Sequence, residues 1–206
     1  LSAPTASGKT EAAFIPALNS VEDWETGLKV LYVSPLKALI NDQFQRISEL
    51  SEYLDIPITR WHGEVSQTQK RKVVNQPKGI LLITPESIEG MLVNRPGEAE
   101  HLFKGVEWII IDELHSFLGT ERGIHLQSLL QRISRFMQAP RFIAMSATLN
   151  KKDFGYAKAF FGSPRHTDIL VDRVKNDLLI TIDYTSGESG PFVARESLEA
   201  IYQYSK

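Results

Sequence analysis

The sequence predicts an α/β fold, a mainly parallel sheet with helices on both faces. Three observations carry that expectation. Short apolar stretches rich in β-branched residues alternate with longer stretches whose apolar residues recur at helical spacing. The strand candidates are apolar without alternation, as in Val30–Val33, Ile80–Ile83 and Trp108–Ile111, which suits strands buried on both sides. Polar motifs directly follow the strands: Ser34-Pro35, Thr84-Pro85-Glu86, Asp112-Glu113 and Ser146-Ala147-Thr148. Those positions are carboxyl ends, where open parallel sheets bind ligands.

The elements follow in order. Leu1 stands where the last residue of a strand belongs, and Ser2-Ala3-Pro4-Thr5-Ala6-Ser7-Gly8-Lys9-Thr10 comes at once; the expectation is that these 206 residues are a piece of a longer chain. Lys9 to Leu18 has helical spacing, with Pro16 expected to bend or end the helix. Val30 to Val33 is a strand, and Pro35 opens a helix to Leu50 with Leu36, Leu39, Ile40, Phe44, Ile47 and Leu50 on one face. The alternation continues with strand Ile58–Trp61, helix Gln67–Val74, strand Ile80–Ile83 and helix Pro85–Val93. Strand Val106–Ile111, helix Ile124–Phe136 and strand Arg141–Met145 complete it. Past Gly162 the pattern changes: an extended segment from Asp168 to Asp183, a Ser/Gly-rich linker from Thr185 to Pro191, and an amphipathic helix from Ala194 to Tyr204.

Composition narrows the class. Hydrophobic residues make up 42% and charged residues 23%, which excludes disordered and fibrous chains. With no cysteine, neither a disulfide framework nor a thiolate zinc site can form, which suits a reducing compartment and makes cytoplasm the default. No apolar run reaches the roughly 18 to 20 residues of a membrane span, so no membrane partner is expected. The net charge of −2 gives no general support for nucleic-acid binding, which must rest on a local surface.

The stretch from Ser2 to Thr10 and the pair Asp112-Glu113 read together as two halves of an ATP site. A Gly8-Lys9-Thr10 turn entering a helix offers backbone N–H groups to phosphates, an ammonium to the β and γ oxygens, and a hydroxyl to Mg²⁺. Asp112 can hold Mg²⁺, and Glu113 can orient or deprotonate the attacking water. Two carboxylates leaving the apolar run Trp108–Ile111 need a cation or hydrogen bonds to offset their desolvation. His62, His101, His125 and His166 show no metal-ligand spacing.

Five segments then carry a resemblance. Pro4-Thr5-Ala6-Ser7-Gly8-Lys9-Thr10, Ser34-Pro35-Leu36-Lys37-Ala38-Leu39, Thr84-Pro85-Glu86-Ser87, Asp112-Glu113-Leu114-His115 and Ser146-Ala147-Thr148 resemble, in order and spacing, motifs I, Ia, Ib, II and III of superfamily 2 helicases. The Asp-Glu-x-His form of motif II, the turn His62-Gly63-Glu64 and the stretch Gly119-Thr120-Glu121-Arg122-Gly123-Ile124-His125 look most like the long-helicase-related (Lhr) group. The resemblance implies that residues 1–165 are a first RecA-like P-loop NTPase domain. Residues 166–206 would bridge to a second, mostly absent domain that supplies arginines to the γ-phosphate.

The resemblance implies further roles. Thr5, Ala6, Ser7, Gly8, Lys9 and Thr10 would bind the nucleotide, Thr10 and Asp112 would hold Mg²⁺, and Lys9, Asp112, Glu113 and His115 would be catalytic. His115 would couple the ATP site to motif III, with a plain polar contact the alternative. Ser146 and Thr148 would link hydrolysis to movement, or cap the helix starting near Lys152. Two departures stand out: Ala3 where the phosphate-loop pattern begins with Gly, and Ala6 where the family commonly has Gly.

Pro35, Leu36, Lys37, Thr84, Pro85 and Glu86 begin helices and would grip a nucleic-acid backbone, DNA being favoured over RNA; the same residues also make ordinary helix starts. Arg60, Trp61 and Lys70-Arg71-Lys72 could extend a basic, partly aromatic surface or form a solvated face, and Arg122 either bridges within the domain or reaches DNA. The function expected is an ATP-dependent helicase or translocase motor. The alternatives are an RNA helicase or restriction-type motor, a non-catalytic nucleotide-binding module, and a metabolite kinase.

Overall fold

A computed structural model describes residues 1–4, 7–147, 149–161 and 167–172. All of them lie in one compact unit, Leu1–Arg173. The elements are α1 (Lys9–Ser20), β1 (Gly27–Val33), α2 (Lys37–Ser51), β2 (Ile58–Trp61), α3 (Gln67–Asn75), β3 (Lys78–Ile83), α4 (Pro85–Asn94), α5 (Pro96–Phe103), β4 (Trp108–Ile111), α6 (Glu121–Ser134), β5 (Arg141–Ala144) and α7 (Asp153–Phe160). The strands form a five-stranded sheet in the order β2-β3-β1-β4-β5, every pairing parallel.

The alternation of side chains along the strands divides the core in two. Leu31, Val33, Leu81, Ile83, Ile109 and Ile111 pack on one side with apolar residues of α4, α5, α6 and α7. Val30, Tyr32, Ile80, Leu82, Trp108 and Ile110 pack on the other with Ala13, Phe14 and Ala17 of α1 and Ile40 and Ile47 of α2. Both faces are therefore covered, and near-continuous apolar strands are the consequence. At the far edge, Ser2 bridges Ser146 and Val171 in parallel, extending the hydrogen-bonded layer beyond β5.

Several sequence expectations need correction. Pro16 does not end α1, which runs through it to Ser20; an internal proline costs about 3 kcal/mol, and burial of Ala13, Phe14 and Ala17 on both sides of it holds the helix together. The second helix starts at Lys37 rather than Pro35, with Leu36 at its N-cap. Leu36 is exposed instead of lying on the apolar face. A helix over Pro96–Phe103 was not expected, because eight residues that follow another helix after a single residue show too little periodicity. The expected strand over Leu178–Ile182, the linker and the last helix lie outside the described residues.

One glycine fixes the geometry near the site. A Cβ on Gly123 would stand 1.9 Å from the Phe117 carbonyl oxygen, so only glycine lets α6 approach the loop that follows β4 so closely.

Candidate active site at the carboxyl rim of the sheet

Strand register aligns the rim. Val33 pairs with Ile83 and Ile111, Ile83 with Trp61, and Ile111 with Ala144. The next residues, His62, Thr84, Ser34, Asp112 and Met145, therefore form a row, and the ladder runs one step further through Ser34 N to Ile83 O, Asp112 N to Val33 O and Met145 N to Ile111 O, at 3.1, 2.9 and 2.8 Å.

The phosphate-loop residues stand at the start of α1. Gly8 is the N-cap with φ of 80°, a left-handed conformation that glycine adopts without strain. Ser7 Oγ donates to Pro4 O at 2.7 Å. Lys9 Nζ is folded back onto the loop, donating to Ala3 O at 2.8 Å and Pro4 O at 2.6 Å. Thr10 is buried, and its hydroxyl donates to Gln43 Oε1 at 3.2 Å. Beside it, Glu11 takes two hydrogen bonds from Arg46, each 2.8 Å. Burial works to raise the Glu11 pKa, but its own backbone N–H and Arg46 outweigh burial and hold it below the usual carboxylate value. Gln43 and Arg46 thus tie α2 to the phosphate-loop helix. Thr5 and Ala6 lie outside the described residues.

The acidic pair leaves β4 in two different states. Asp112 is buried; its Oδ2 accepts from the Tyr32 hydroxyl at 2.5 Å and its Oδ1 from Glu113 N at 2.9 Å. Burial, reinforced by the Asp112 charge, pushes the Tyr32 phenol well above its ordinary pKa, so it stays a donor. Glu113 has φ 47° and ψ 46°, a left-handed backbone costing a non-glycine residue about 1–2 kcal/mol. A hydrogen bond from Leu114 N to Met145 O, 2.8 Å, pins the next residue to the one that follows β5. Strain of this kind gathers at functional sites.

His115 stands between the two strand ends. Its Nδ1 is 3.2 Å from Glu113 Oε2 and 3.4 Å from Ser146 Oγ. Glu113 Oε2 is buried and receives no well-aligned hydrogen bond. Ser146 is buried and makes no cap, because α7 begins after Lys152 without a side-chain cap. Thr148 lies outside the described residues. Among the described residues no His/Cys/Asp/Glu cluster could hold a metal by itself. The donors here instead suit Mg²⁺ shared with phosphate: a hydroxyl whose proton is given to Gln43 and a carboxylate fixed by Tyr32.

The remaining rim residues form a more exposed group. Leu36 provides no side-chain cap for α2, whereas Thr84 Oγ1 caps α4 by accepting from Ser87 N at 3.3 Å. Lys37 is hydrogen-bonded to Glu64, and that contact, the larger cause, together with the Lys37 charge lowers the Glu64 pKa. Arg122 bridges within the domain: it donates to Glu86 Oε1 through Nε at 3.0 Å and through a terminal nitrogen at 2.6 Å, to Pro35 O at 2.5 Å, and lies 5.5 Å from the Phe117 ring centroid. Trp61 is largely buried, with the Lys70 ammonium 5.7 Å from its ring centroid. His62 is also buried with neither ring nitrogen bonded, and burial lowers its pKa.

Tyr32, Gln43 and Arg46 were not among the site residues singled out in the sequence, which left Arg122 between an intradomain bridge and DNA. Tyr32 sits inside an apolar strand and reads as core; the partners of Arg122 are 87 and 36 residues away.

The profile of the DEAD/DEAH box helicase family matches residues 1–154. The chain belongs to that family. This DEAD/DEAH-box chain is 34% identical to an ATP-dependent helicase Lhr-Core protein 2 of Thermococcus barophilus, over 92% of its own length and 26% of that protein. It is 33% identical to the Lhr helicase/uracil glycosylase of Escherichia coli, over 82% and 12%. The chain therefore spans about a quarter or less of these relatives. Among solved structures, the DUF1998 helicase MrfA bound to DNA and AMPPNP is 29% identical with a TM-score of 0.68, covering 79% of this chain and 24% of that one. The Lhr helicase of Mycobacterium smegmatis bound to single-stranded DNA and AMP-PNP is 33% identical with a TM-score of 0.62, covering 73% and 21%. The RecA-like α/β fold is thereby established, and no described helix is long and apolar enough to cross a membrane.

Proposed function

We propose that this chain is the first motor domain of an ATP-dependent DNA helicase or translocase, with residues 1–165 as the RecA-like domain and 166–206 leading to a second one. The observation that carries the reading is Glu113, held in a strained left-handed conformation at the end of β4, with a buried carboxylate oxygen that receives no well-aligned hydrogen bond and lies 3.2 Å from His115 Nδ1. A base awaiting a water has these attributes. The AMPPNP and DNA bound in the similar solved structures support ATP as the nucleotide and DNA as the track.

Thr5 to Thr10 cradle the phosphates. Lys9 exchanges the carbonyls of Ala3 and Pro4 for β/γ oxygens, a trade of neutral acceptors for charged ones that favours the nucleotide. Thr10 and Asp112 hold Mg²⁺, which when bound neutralises developing phosphate charge. Tyr32 keeps Asp112 oriented, and its high pKa preserves the donor. Glu113 orients the water and takes its proton. His115, between Glu113 and Ser146, carries a change at the acid pair to β5 and, with Thr148, to the next domain. The uncapped start of α2 at Pro35-Leu36-Lys37 and the start of α4 at Thr84-Pro85-Glu86 grip backbone phosphates.

The test is ATP hydrolysis by the full-length protein with and without single-stranded DNA or RNA, beside Glu113→Gln. DNA-stimulated turnover that drops by about 10²–10⁴ in the variant is expected. Stimulation by RNA alone moves the track to RNA, and turnover indifferent to both polymers or to the substitution overturns the motor reading.

A further inference from the structure

A pocket of about 280 Å³ lies between α3 and α4, lined among others by Trp61, Gly63, Lys70, Gly90, Asn94 and Arg95. It falls below the roughly 300–1,000 Å³ of drug-sized ligand sites, which suits one small unit. Its charges are one-sided: the lining has two cations and no carboxylate, in a chain of net charge −2. Among the described residues, the Arg95 guanidinium has a single long ion-pair contact, to Glu98 at 3.4 Å. Lys70 makes no ion pair among the described residues, and its ammonium lies 5.7 Å from the centroid of the Trp61 ring.

Two glycines keep the space open. A Cβ on Gly63 or Gly90 would meet nothing within 4 Å, so neither glycine is required by packing. Gly90 stands inside α4, where glycine weakens a helix. Asn94 gives its amide N–H to Gly90 O at 2.8 Å, which leaves its side-chain oxygen free to accept.

The pocket adjoins the rim. Gly63 lies between His62 and Glu64, the partner of Lys37, and Ser87, also in the lining, has its hydroxyl 3.0 Å from Thr84 Oγ1 at the start of α4.

We propose that this pocket binds one nucleotide unit of the polynucleotide strand, its phosphate held by Lys70 and Arg95. The site extends the track past the starts of α2 and α4, and it rests on the nucleic-acid reading above. A phosphate between two cations gains charge-assisted hydrogen bonds, while Trp61 and Met91 give the rest of the unit an apolar floor.

The experiment measures binding of labelled oligodeoxythymidylate to the full-length protein across a salt series. Gly90→Leu fills the pocket without altering charge and favours helix over glycine, so its melting temperature is expected at or above that of the wild type. The expected result is several-fold weaker binding with the log–log salt slope reduced by about 0.7, one phosphate on a single strand. Lys70→Gln with Arg95→Gln is expected to do the same, and the three substitutions together no more. Unchanged binding by Gly90→Leu overturns the pocket even if the charge variant weakens binding, because long-range attraction then suffices. Absence of wild-type binding to DNA and RNA alike defeats the nucleic-acid reading itself, and this site with it.

Discussion

Asp112 and Lys37 stand on the same rim of one sheet, and the side chains that hold them differ in kind. Asp112 is buried and fixed by a neutral donor, the Tyr32 hydroxyl, and by a backbone N–H. Lys37 is exposed and held by an opposite charge, Glu64. A neutral hydrogen bond orients a carboxylate while leaving its charge available to a cation. An exposed ion pair cancels the charge, contributes at most about 1 kcal/mol, and is screened by salt. On the proposed reading, the half around Asp112 suits a nucleotide that needs fixed geometry, and the half around Lys37 suits exchange, a phosphate competing with the Glu64 carboxylate.

Removing the neutral donor should have the largest effect. Tyr32→Phe keeps the ring packed 5.8 Å from Phe14 and deletes the bond to Asp112. Support of this kind around a metal site is worth about 10–100-fold; Mg²⁺ titrations of ADP binding should show that weakening, and an unchanged midpoint would remove Tyr32 from the site. Next comes the link between the halves. Arg122→Lys loses the fork that spans Glu86 and Pro35, so DNA stimulation of ATPase should fall several-fold, more than the DNA-free rate. An equal fall in both would mean that Arg122 serves stability alone.

The exposed pair should respond oppositely. Glu64→Gln frees Lys37, so single-stranded DNA should bind up to about fivefold tighter at low salt, with the gain vanishing at high salt. A gain that persists in high salt would contradict exchange.

The smallest effect concerns His62. Burial depresses its folded pKa below the ordinary 6.5, so its contribution to stability is complete above that value and is lost as pH falls through the folded pKa. His62→Gln should flatten the melting-temperature profile between about pH 7 and 5; an unaltered slope would assign the acid sensitivity elsewhere.

Much of the architecture was legible because its signals are local. Continuous apolar strands, helical spacing and the polar residues after each strand lie within a few positions of one another, and they led to a parallel sheet with its motifs on one rim. Of the two outcomes expected at Pro16, a bend or an end, the helix does not end there, because packing of Phe14 and Ala17 holds it through to Ser20. The helix Pro96–Phe103 was missed because eight residues carry too little period. For Ser146 the sequence offered a helix cap and a link between hydrolysis and strand movement, and the position of α7 removes the cap: Ser146 Oγ lies 3.4 Å from His115 Nδ1 instead.

The sequence by itself determined the fold class and offered the Gly8-Lys9-Thr10 turn and the Asp112-Glu113 pair as candidates for a nucleotide site, since each rests on residues adjacent in the chain. Tertiary structure alone decided that Tyr32 serves Asp112, that Gln43 and Arg46 tie α2 to the phosphate-loop helix, that Arg122 joins the starts of two helices, and that two cations face one pocket. Those contacts join residues 25 to 87 positions apart, and nothing local distinguishes a tyrosine in a strand or an arginine on a helix until the sheet register and helix packing bring its partner within hydrogen-bonding distance.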